Sequence, residues 1–204
     1  MAKPLPEFGE MSLFSLYGER KYLNEKERGQ FLRAVTALKV PIERTFALML
    51  FWTGCRPSEA LSMTPMQVHA DEYAIAIRSK KKRGRHKDRH FRIVPVPRSF
   101  IVSMQLVHGA PPCTRRPPGR LWGFSRTKAW RLIRRVMDIA GIFGIRASAR
   151  GLRHGFGVHA VAVLCDVPLT LVKKWLGHAS LDTTQVYLNV IGPDERAIAQ
   201  RMWA

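Results

Sequence analysis

The chain has 204 residues, with 34 Lys or Arg against 15 Asp or Glu and a formal net charge of +19. This excess indicates a polyanionic partner, nucleic acid above all, because each neutralised phosphate releases condensed counterions. Three cysteines, an odd number without a Cys-x-x-Cys spacing, indicate neither a disulfide framework nor a zinc site. The seven histidines are scattered and give no metal-ligand pattern. The longest apolar run has about seven residues, where a membrane span needs roughly 20, so we expect one cytoplasmic globular domain without metal, cofactor or membrane association.

Two helices are predicted after an N-terminal arm that covers residues 1–21. Asn24 is suited to cap the first helix, with Glu27 three residues further on as in a capping box, and an apolar stripe follows. Pro41 begins a second helix that ends at Gly54. Since the sequence of this second helix is apolar almost throughout, we expect it at the centre of the core.

Two strands are predicted at residues 73–78 and 91–96, joined by a basic hairpin tip. From Arg78 to Arg92, nine residues are Lys or Arg, and only Asp88 is acidic. A charge run is usually a solvated face, but in a strongly basic chain a run that joins two strands is expected to contact DNA. The tip residues that we assign to DNA binding are Lys81, Lys82, Arg83, Arg85 and Lys87.

The second half of the chain is predicted to be helical after a proline-rich loop at residues 109–121. One helix begins after Ser125, and three more helical stretches follow at about 150–165, 168–177 and 181–189. The first of these helices has a basic exposed side, which we also assign to DNA binding: Arg126, Lys128, Arg131, Arg134 and Arg135. The predicted fold class is therefore α+β, mainly α, with a small antiparallel hairpin or sheet.

Three short segments resemble the sequence boxes of the phage integrase, or tyrosine recombinase, family. Residues 53–59 read Thr-Gly-Cys-Arg-Pro-Ser-Glu, and residues 151–156 read Gly-Leu-Arg-His-Gly-Phe. The sequence Leu-Gly-His at 176–178 precedes Tyr187 by nine residues. Three boxes in the right order are strong evidence where any one would be weak, and the resemblance implies a catalytic domain of this family over residues 22–190.

In this family a tyrosine attacks a DNA phosphodiester while two arginines hold the phosphate. The resemblance implies that Arg56 and Arg153 clamp the phosphate and that Tyr187 forms a 3′-phosphotyrosyl bond. It also implies that His178 donates a hydrogen bond to a phosphate oxygen. Glu59 either orients Arg56 through an ion pair or is an exposed helix acid.

The general acid and one basic position complete the set that the resemblance implies. The family's catalytic lysine lies on a β-hairpin between the first two boxes, and Lys80 is its expected counterpart, with Lys81 and Lys82 as alternatives. Arg150 stands where the family most often has a histidine, and an arginine can donate to a phosphate but cannot accept a proton. Two other histidines are interpreted as packing groups rather than ligands: His154 and His159.

The implied function is a site-specific DNA recombinase that needs neither metal nor ATP. About 21 residues precede the catalytic region, which resembles short members that lack a separate N-terminal domain. The expected partners are double-stranded DNA at the nucleoid, further copies of the chain from dimer to tetramer, and an accessory DNA-bending or directionality protein. The tail at 191–204 packs either on a neighbouring protomer or on its own domain. A type IB topoisomerase, a catalytically inactive DNA-binding regulator and an RNA-coating protein are the alternatives.

Overall fold

The computed structural model describes residues 12–79, 91–109, 119–163, 167–188 and residue 200. The basic residues predicted at the hairpin tip lie outside the described residues: Lys80, Lys81, Lys82, Arg83, Arg85 and Lys87. Residues 1–11 and almost all of the predicted tail also lie outside them.

Within the described residues, helices account for most of the regular structure. In chain order they are α1 (Glu25–Thr36), α2 (Pro41–Thr53), α3 (Pro57–Ala60), α4 (Arg98–His108), α5 (Arg126–Ile139), α6 (Ala149–Val158), α7 (Leu169–Leu176) and α8 (Asp182–Gln185). A π-helical turn (His159–Val163) continues α6, and 3₁₀ turns lie at Pro65–Gln67 and Val186–Leu188. None of these described helices is both long and apolar enough to cross a membrane.

Helix α2 lies at the centre of the core, as its apolar sequence predicts. It contacts α1, α4, α5 and α6, and residues on all of its sides are buried. Its neighbour α1 begins with the predicted capping box, in which the Asn24 side chain accepts a hydrogen bond from the Glu27 N–H at 2.9 Å. Helix α2 ends at Gly54, whose φ of 59° is in the left-handed region, and this turn carries the chain directly into α3.

The strands β1 (Val68–His69), β2 (Ala74–Arg78) and β3 (Phe91–Pro95) form one antiparallel sheet in the order β1-β2-β3. In the β2–β3 ladder Ile75 pairs with Val94, and Ile77 pairs with Arg92. Both predicted strands and the predicted fold class are confirmed. Strand β1 and helix α4 have no counterpart among the predicted elements. Helix α4 buries Phe100, Ile101 and Met104, a spacing typical of one helix face.

A second, smaller apolar cluster lies beside the main core and includes a part of the segment predicted as an arm. Leu13 and Tyr22 are buried there against Val158, Val172 and Tyr187. The segment folds back on itself through an isolated antiparallel bridge. This cluster is where the tyrosine of the third sequence box is packed.

We expect Gly54→Ala to destabilise the fold more than Gly141→Ala does. Both glycines have positive φ, so an alanine costs about 1–2 kcal/mol at either position. A Cβ at Gly54 would also lie 2.7 Å from Phe156 Cδ1, whereas a Cβ at Gly141 meets nothing within 4 Å. Overpacking adds about 1–3 kcal/mol at Gly54 alone. Urea unfolding of both variants measures the difference, and equal losses would contradict the close contact with Phe156.

Candidate active site

Arg153 joins the segments that contain the three sequence boxes. It lies in the second turn of α6, rather than at the beginning of the helix, and is 7% exposed. Its Nη1 donates to the Gly54 carbonyl at 2.7 Å, and its Nη2 donates to the Leu176 carbonyl at 2.7 Å. Burial, and next the charge of Arg56, lower the pKa of Arg153 to about 10, so the side chain is positively charged at neutral pH. The ends of α2 and α7 are therefore held against a buried cation on α6.

Arg56 is the N-cap residue of α3, directly after the left-handed turn that ends α2. Its backbone N–H donates to Glu59 Oε2 at 2.8 Å, and its Nη1 lies 3.4 Å from Glu59 Oε1. The side chain of Arg56 is 36% exposed, whereas that of Glu59 is 2% exposed. The alternative that Glu59 is an exposed helix acid is therefore wrong, and the carboxylate orients the start of α3.

The main partner of Glu59 is Arg92 on β3, which sequence reasoning counted only as part of the basic hairpin. Arg92 Nη2 and Nη1 donate to the two carboxylate oxygens of Glu59 at 2.7 and 3.2 Å. Arg92 Nε donates to the Trp175 carbonyl at 2.7 Å, and Nη1 also reaches Ser79 Oγ at 3.2 Å. A signal was present in the sequence, because Arg92 has the same parity along the strand as Val94, which is buried.

His178 follows Gly177, the left-handed residue that ends α7, and is 8% exposed. Its Nδ1 lies 2.9 Å from Thr184 Oγ1. Burial, and then the charges of Arg153 and Arg56, lower the pKa of His178 to about 3. The imidazole is therefore neutral at neutral pH and can donate from only one nitrogen.

Tyr187 lies in the 3₁₀ turn after α8 and is 0% exposed. Its hydroxyl oxygen is 3.3 Å from His154 Nδ1, and its ring stacks on that of His178 at a centroid distance of 6.1 Å. A Cβ at position 157 would lie 2.5 Å from Tyr187 Cζ, so Gly157 leaves the space that the ring occupies. Burial raises the pKa of Tyr187 to about 12, although Arg153 and Arg56 act in the opposite direction. The phenol is therefore protonated at neutral pH.

A cleft of about 640 Å³ opens between α3, α5 and α6. None of the described residues that line it carries a carboxylate, and five of them are arginines: Arg56, Arg126, Arg134, Arg150 and Arg153. His154 lines the same cleft, whereas His178 and Tyr187 are not among its lining residues. The arrangement suits an anion of the size of a phosphate group with a part of its ester chain.

The basic residues of α5 lie on two different sides of the helix. Arg126 and Arg134 line the arginine cleft, and Arg134 Nη1 also donates to the Ala147 carbonyl at 2.9 Å. The other three basic residues line a separate groove that also contains Glu43: Lys128, Arg131 and Arg135. Glu43 forms an ion pair with Arg135.

Comparisons with known proteins identify the class to which this fold and site belong. Over 149 residues, 68% of this chain, the sequence is 33% identical to tyrosine recombinase XerD of Mycobacterium tuberculosis, and it spans 45% of that protein. The crystal structure of XerA recombinase superposes with a TM-score of 0.70 at 22% identity over 90% of this chain and 65% of that one.

Two further solved structures have the same fold. The catalytic domain of bacteriophage HP1 integrase superposes with a TM-score of 0.60 at 20% identity, over 90% of this chain and 95% of that domain. XerH site-specific recombinase bound to difH substrate superposes with a TM-score of 0.65 at 19% identity, over 94% of this chain and 60% of that one. A comparison with protein-family profiles finds no match. The fold is that of a tyrosine recombinase catalytic domain. The chain belongs to the tyrosine recombinase family.

We expect Glu59→Gln to remove a pH-dependent part of the stability. Burial alone would raise the pKa of Glu59, but hydrogen bonds and charge from Arg92 outweigh it and lower the pKa below the ordinary 4.5. Because the folded-state pKa is depressed, the stabilisation is present above pH 4.5 and is lost as the pH falls through the folded value. The variant should lose about 3–5 kcal/mol at neutral pH, because a buried Arg92 is left without its carboxylate.

Urea unfolding at a series of pH values measures this effect. The stability of the wild-type protein should fall as the pH drops below 4.5, and that of Glu59→Gln should fall less over the same interval. Glu72→Gln is the matched control, since the Glu72 side chain is 70% exposed. Parallel pH curves for Glu59→Gln and the wild type would contradict a depressed pKa at Glu59.

Proposed function

We propose that this protein is a site-specific DNA recombinase that breaks and rejoins double-stranded DNA through a 3′-phosphotyrosyl intermediate. The observation that carries the proposal is the position of Arg153, which binds the carbonyls that end α2 and α7. Arg56, His178 and Tyr187 all interact electrostatically with Arg153, although they are far apart in sequence. The relatives named above include tyrosine recombinase XerD, and in one solved structure a site-specific recombinase is bound to its difH substrate.

In this proposal the cleft arginines bind the phosphodiester to be cut. Arg56, Arg150 and Arg153 line the cleft, and guanidinium groups bind two phosphate oxygens through parallel hydrogen bonds. Their charge stabilises the transition state, in which negative charge on the phosphate oxygens increases. Arg150 stands at the position where the family most often has a histidine. Its positive charge can still bind the phosphate beside Arg56 and Arg153.

Tyr187 is the proposed nucleophile. Its Oη forms the new bond to phosphorus while the bond from phosphorus to the 5′ oxygen breaks, and the departing oxygen takes a proton from the general acid. We assign that role to Lys80, with Lys81 and Lys82 as alternatives. Because the phosphotyrosyl ester retains the free energy of the broken bond, a 5′ hydroxyl of another strand can attack it and rejoin the DNA without ATP.

His178 is suited to donate to the bound phosphate. When the Thr184 hydroxyl donates to Nδ1 of His178, this nitrogen carries no proton. The single ring proton of the neutral imidazole is then on Nε2. This Nε2 is buried and lacks a hydrogen-bond partner among the described residues, and a phosphate oxygen would supply one. Since Tyr187 is fully buried, its hydroxyl reaches the same phosphate only after the turn Val186–Leu188 moves toward the cleft.

The assembly belongs to the same proposal. Exchange of strands between two duplexes requires four cuts, so we infer that four copies of the chain act together on DNA, formed from two dimers. An accessory DNA-bending or directionality protein and a location at the nucleoid are parts of this proposal as well. The basic tip of the hairpin contributes further phosphate contacts.

We expect a covalent protein–DNA complex that depends on Tyr187. The probe is a pool of nicked duplexes with randomised arms, in which the short cleaved strand diffuses away and the phosphotyrosyl bond cannot be resealed. Adducts that survive denaturation are recovered and sequenced, which also identifies the DNA site. Tyr187→Phe should abolish the adduct and Tyr73→Phe should retain it. Binding without any adduct would instead support the catalytically inactive DNA-binding regulator.

We expect the cleft side of α5 to contribute more to DNA affinity than the opposite side. Arg126→Ala removes a cation beside Arg56 and Arg153, whereas Arg131→Ala removes one beside Glu43. The first variant should bind the selected duplex more weakly and show a salt dependence reduced by about one ion, with little change for the second. Titrations at several salt concentrations measure this. Equal effects of the two substitutions would show that the DNA contacts both sides of the helix.

A further inference from the structure

The proposed reaction needs an acceptor for the Tyr187 proton. A phenol whose pKa is raised to about 12 does not ionise by itself at neutral pH. Arg150 stands where the family most often has a histidine, and an arginine side chain cannot accept a proton. The acceptor must therefore be found elsewhere around the hydroxyl group.

His154 is the side chain that the structure places at this hydroxyl. Its Nδ1 lies 3.3 Å from Tyr187 Oη, and the imidazole is 2% exposed. The contact is held from both sides, since His154 lies within α6 and the tyrosine ring occupies the space above Gly157. The distance is slightly longer than an ideal hydrogen bond. His154 also lines the cleft toward which the tyrosine turn moves, so the two groups must stay in contact as the hydroxyl approaches the phosphate.

His178 is less suited to the same task although it is also close. Its ring lies nearly parallel to that of Tyr187, with an interplanar angle of 16°, so it contacts the face of the phenol. Its Nδ1 is hydrogen-bonded to Thr184. The geometry therefore favours His154 over His178 as the group that meets the tyrosine hydroxyl.

We propose that His154 is a catalytic residue whose Nδ1 accepts the proton of Tyr187 as the phenol oxygen attacks phosphorus. This inference rests on the proposed recombinase function. The Oη–phosphorus bond forms, the bond from phosphorus to the 5′ oxygen breaks, the phenol proton moves to His154, and the hairpin lysine protonates the departing oxygen. In the rejoining step each proton returns by the reverse path, so the cycle leaves no net change on the protein.

The charges around His154 are consistent with this role. Burial, and then the charges of Arg153, Arg150 and Lys21, lower the pKa of His154 to about 4, so the ring is neutral and able to accept at neutral pH. His154 lines the arginine cleft. A phosphodiester bound there offsets the same cations, and its growing negative charge stabilises the imidazolium as the proton arrives.

The test compares three substitutions on the duplex that the wild-type protein selects from the pool. His154→Leu removes the acceptor, and His154→Asn retains a hydrogen-bond acceptor near the position of Nδ1 but cannot take up a proton at neutral pH. His159→Asn is the matched control, because burial lowers the pKa of His159 to about 4 as well. We expect both His154 variants to form the adduct about 100-fold more slowly, and the control to react as the wild type does.

A second substrate separates loss of the base from loss of the acid. Replacing the bridging 5′ oxygen by sulfur gives a leaving group that needs no protonation. The sulfur should restore cleavage to a variant with Lys80→Ala, Lys81→Ala and Lys82→Ala, but not to either His154 variant. Restoration of a His154 variant by sulfur would show that His154 serves the leaving group and not the nucleophile.

Each outcome bears on the inference. A His154→Asn protein that cleaves at the wild-type rate, or is restored by sulfur, would overturn the role of His154 while the recombinase function stands. If His154→Leu does not fold, as thermal melting will show, His154→Asn decides alone. If the wild-type protein forms no Tyr187-dependent adduct, the proposed recombinase function itself fails, and the role of His154 with it.

Discussion

The buried ion pair between Arg92 and Glu59 is the interaction on which the arrangement of the site depends. Both side chains are at least 95% removed from solvent and share two charge-assisted hydrogen bonds. Arg92 also binds the carbonyl of Trp175 and the hydroxyl of Ser79. The guanidinium of Arg92 therefore holds three elements together: the start of α3 next to Arg56, the end of β2 and the end of α7. Such a pair stabilises weakly overall, but it is costly to break, so it specifies a geometry.

This geometry concentrates positive charge around Arg153. Burial, and then the charges of Arg56 and Arg92, lower the pKa of Arg153, whereas Tyr187 and the carboxylate of Glu59 act in the opposite direction. In the low dielectric of a buried site this repulsion destabilises the folded protein. In the proposed function, a bound phosphodiester would remove part of that repulsion. DNA affinity and stability would then be linked, since a ligand that binds only the folded state stabilises it.

The features that the sequence predicts well are those whose causes are local. The capping box at Asn24 and the stop at Gly54 depend on neighbours within a few residues, and both strands show their own apolar pattern. The sequence boxes further indicated which arginines and which tyrosine would converge. Two contacts that the sequence did not predict each join residues 33 positions apart: Glu59 with Arg92, and His154 with Tyr187. The strand parity of Arg92 indicates that its side chain is buried, but no local pattern identifies the partner in either pair, because only the tertiary packing of α6 and β3 brings the partners together.

Helix α6 carries two of the proposed functional side chains, Arg153 and His154, on one turn. Consecutive residues of an α-helix point about 100° apart, so Arg153 and His154 face different neighbours from the same turn. Arg153 faces the ends of α2 and α7, and His154 faces the turn of Tyr187. The close approach of that turn depends on Gly157, although glycine lowers helix stability by about 1 kcal/mol. The helix therefore gives up local stability for a contact that places the phenol hydroxyl beside the imidazole, one residue from the arginine of the phosphate cleft.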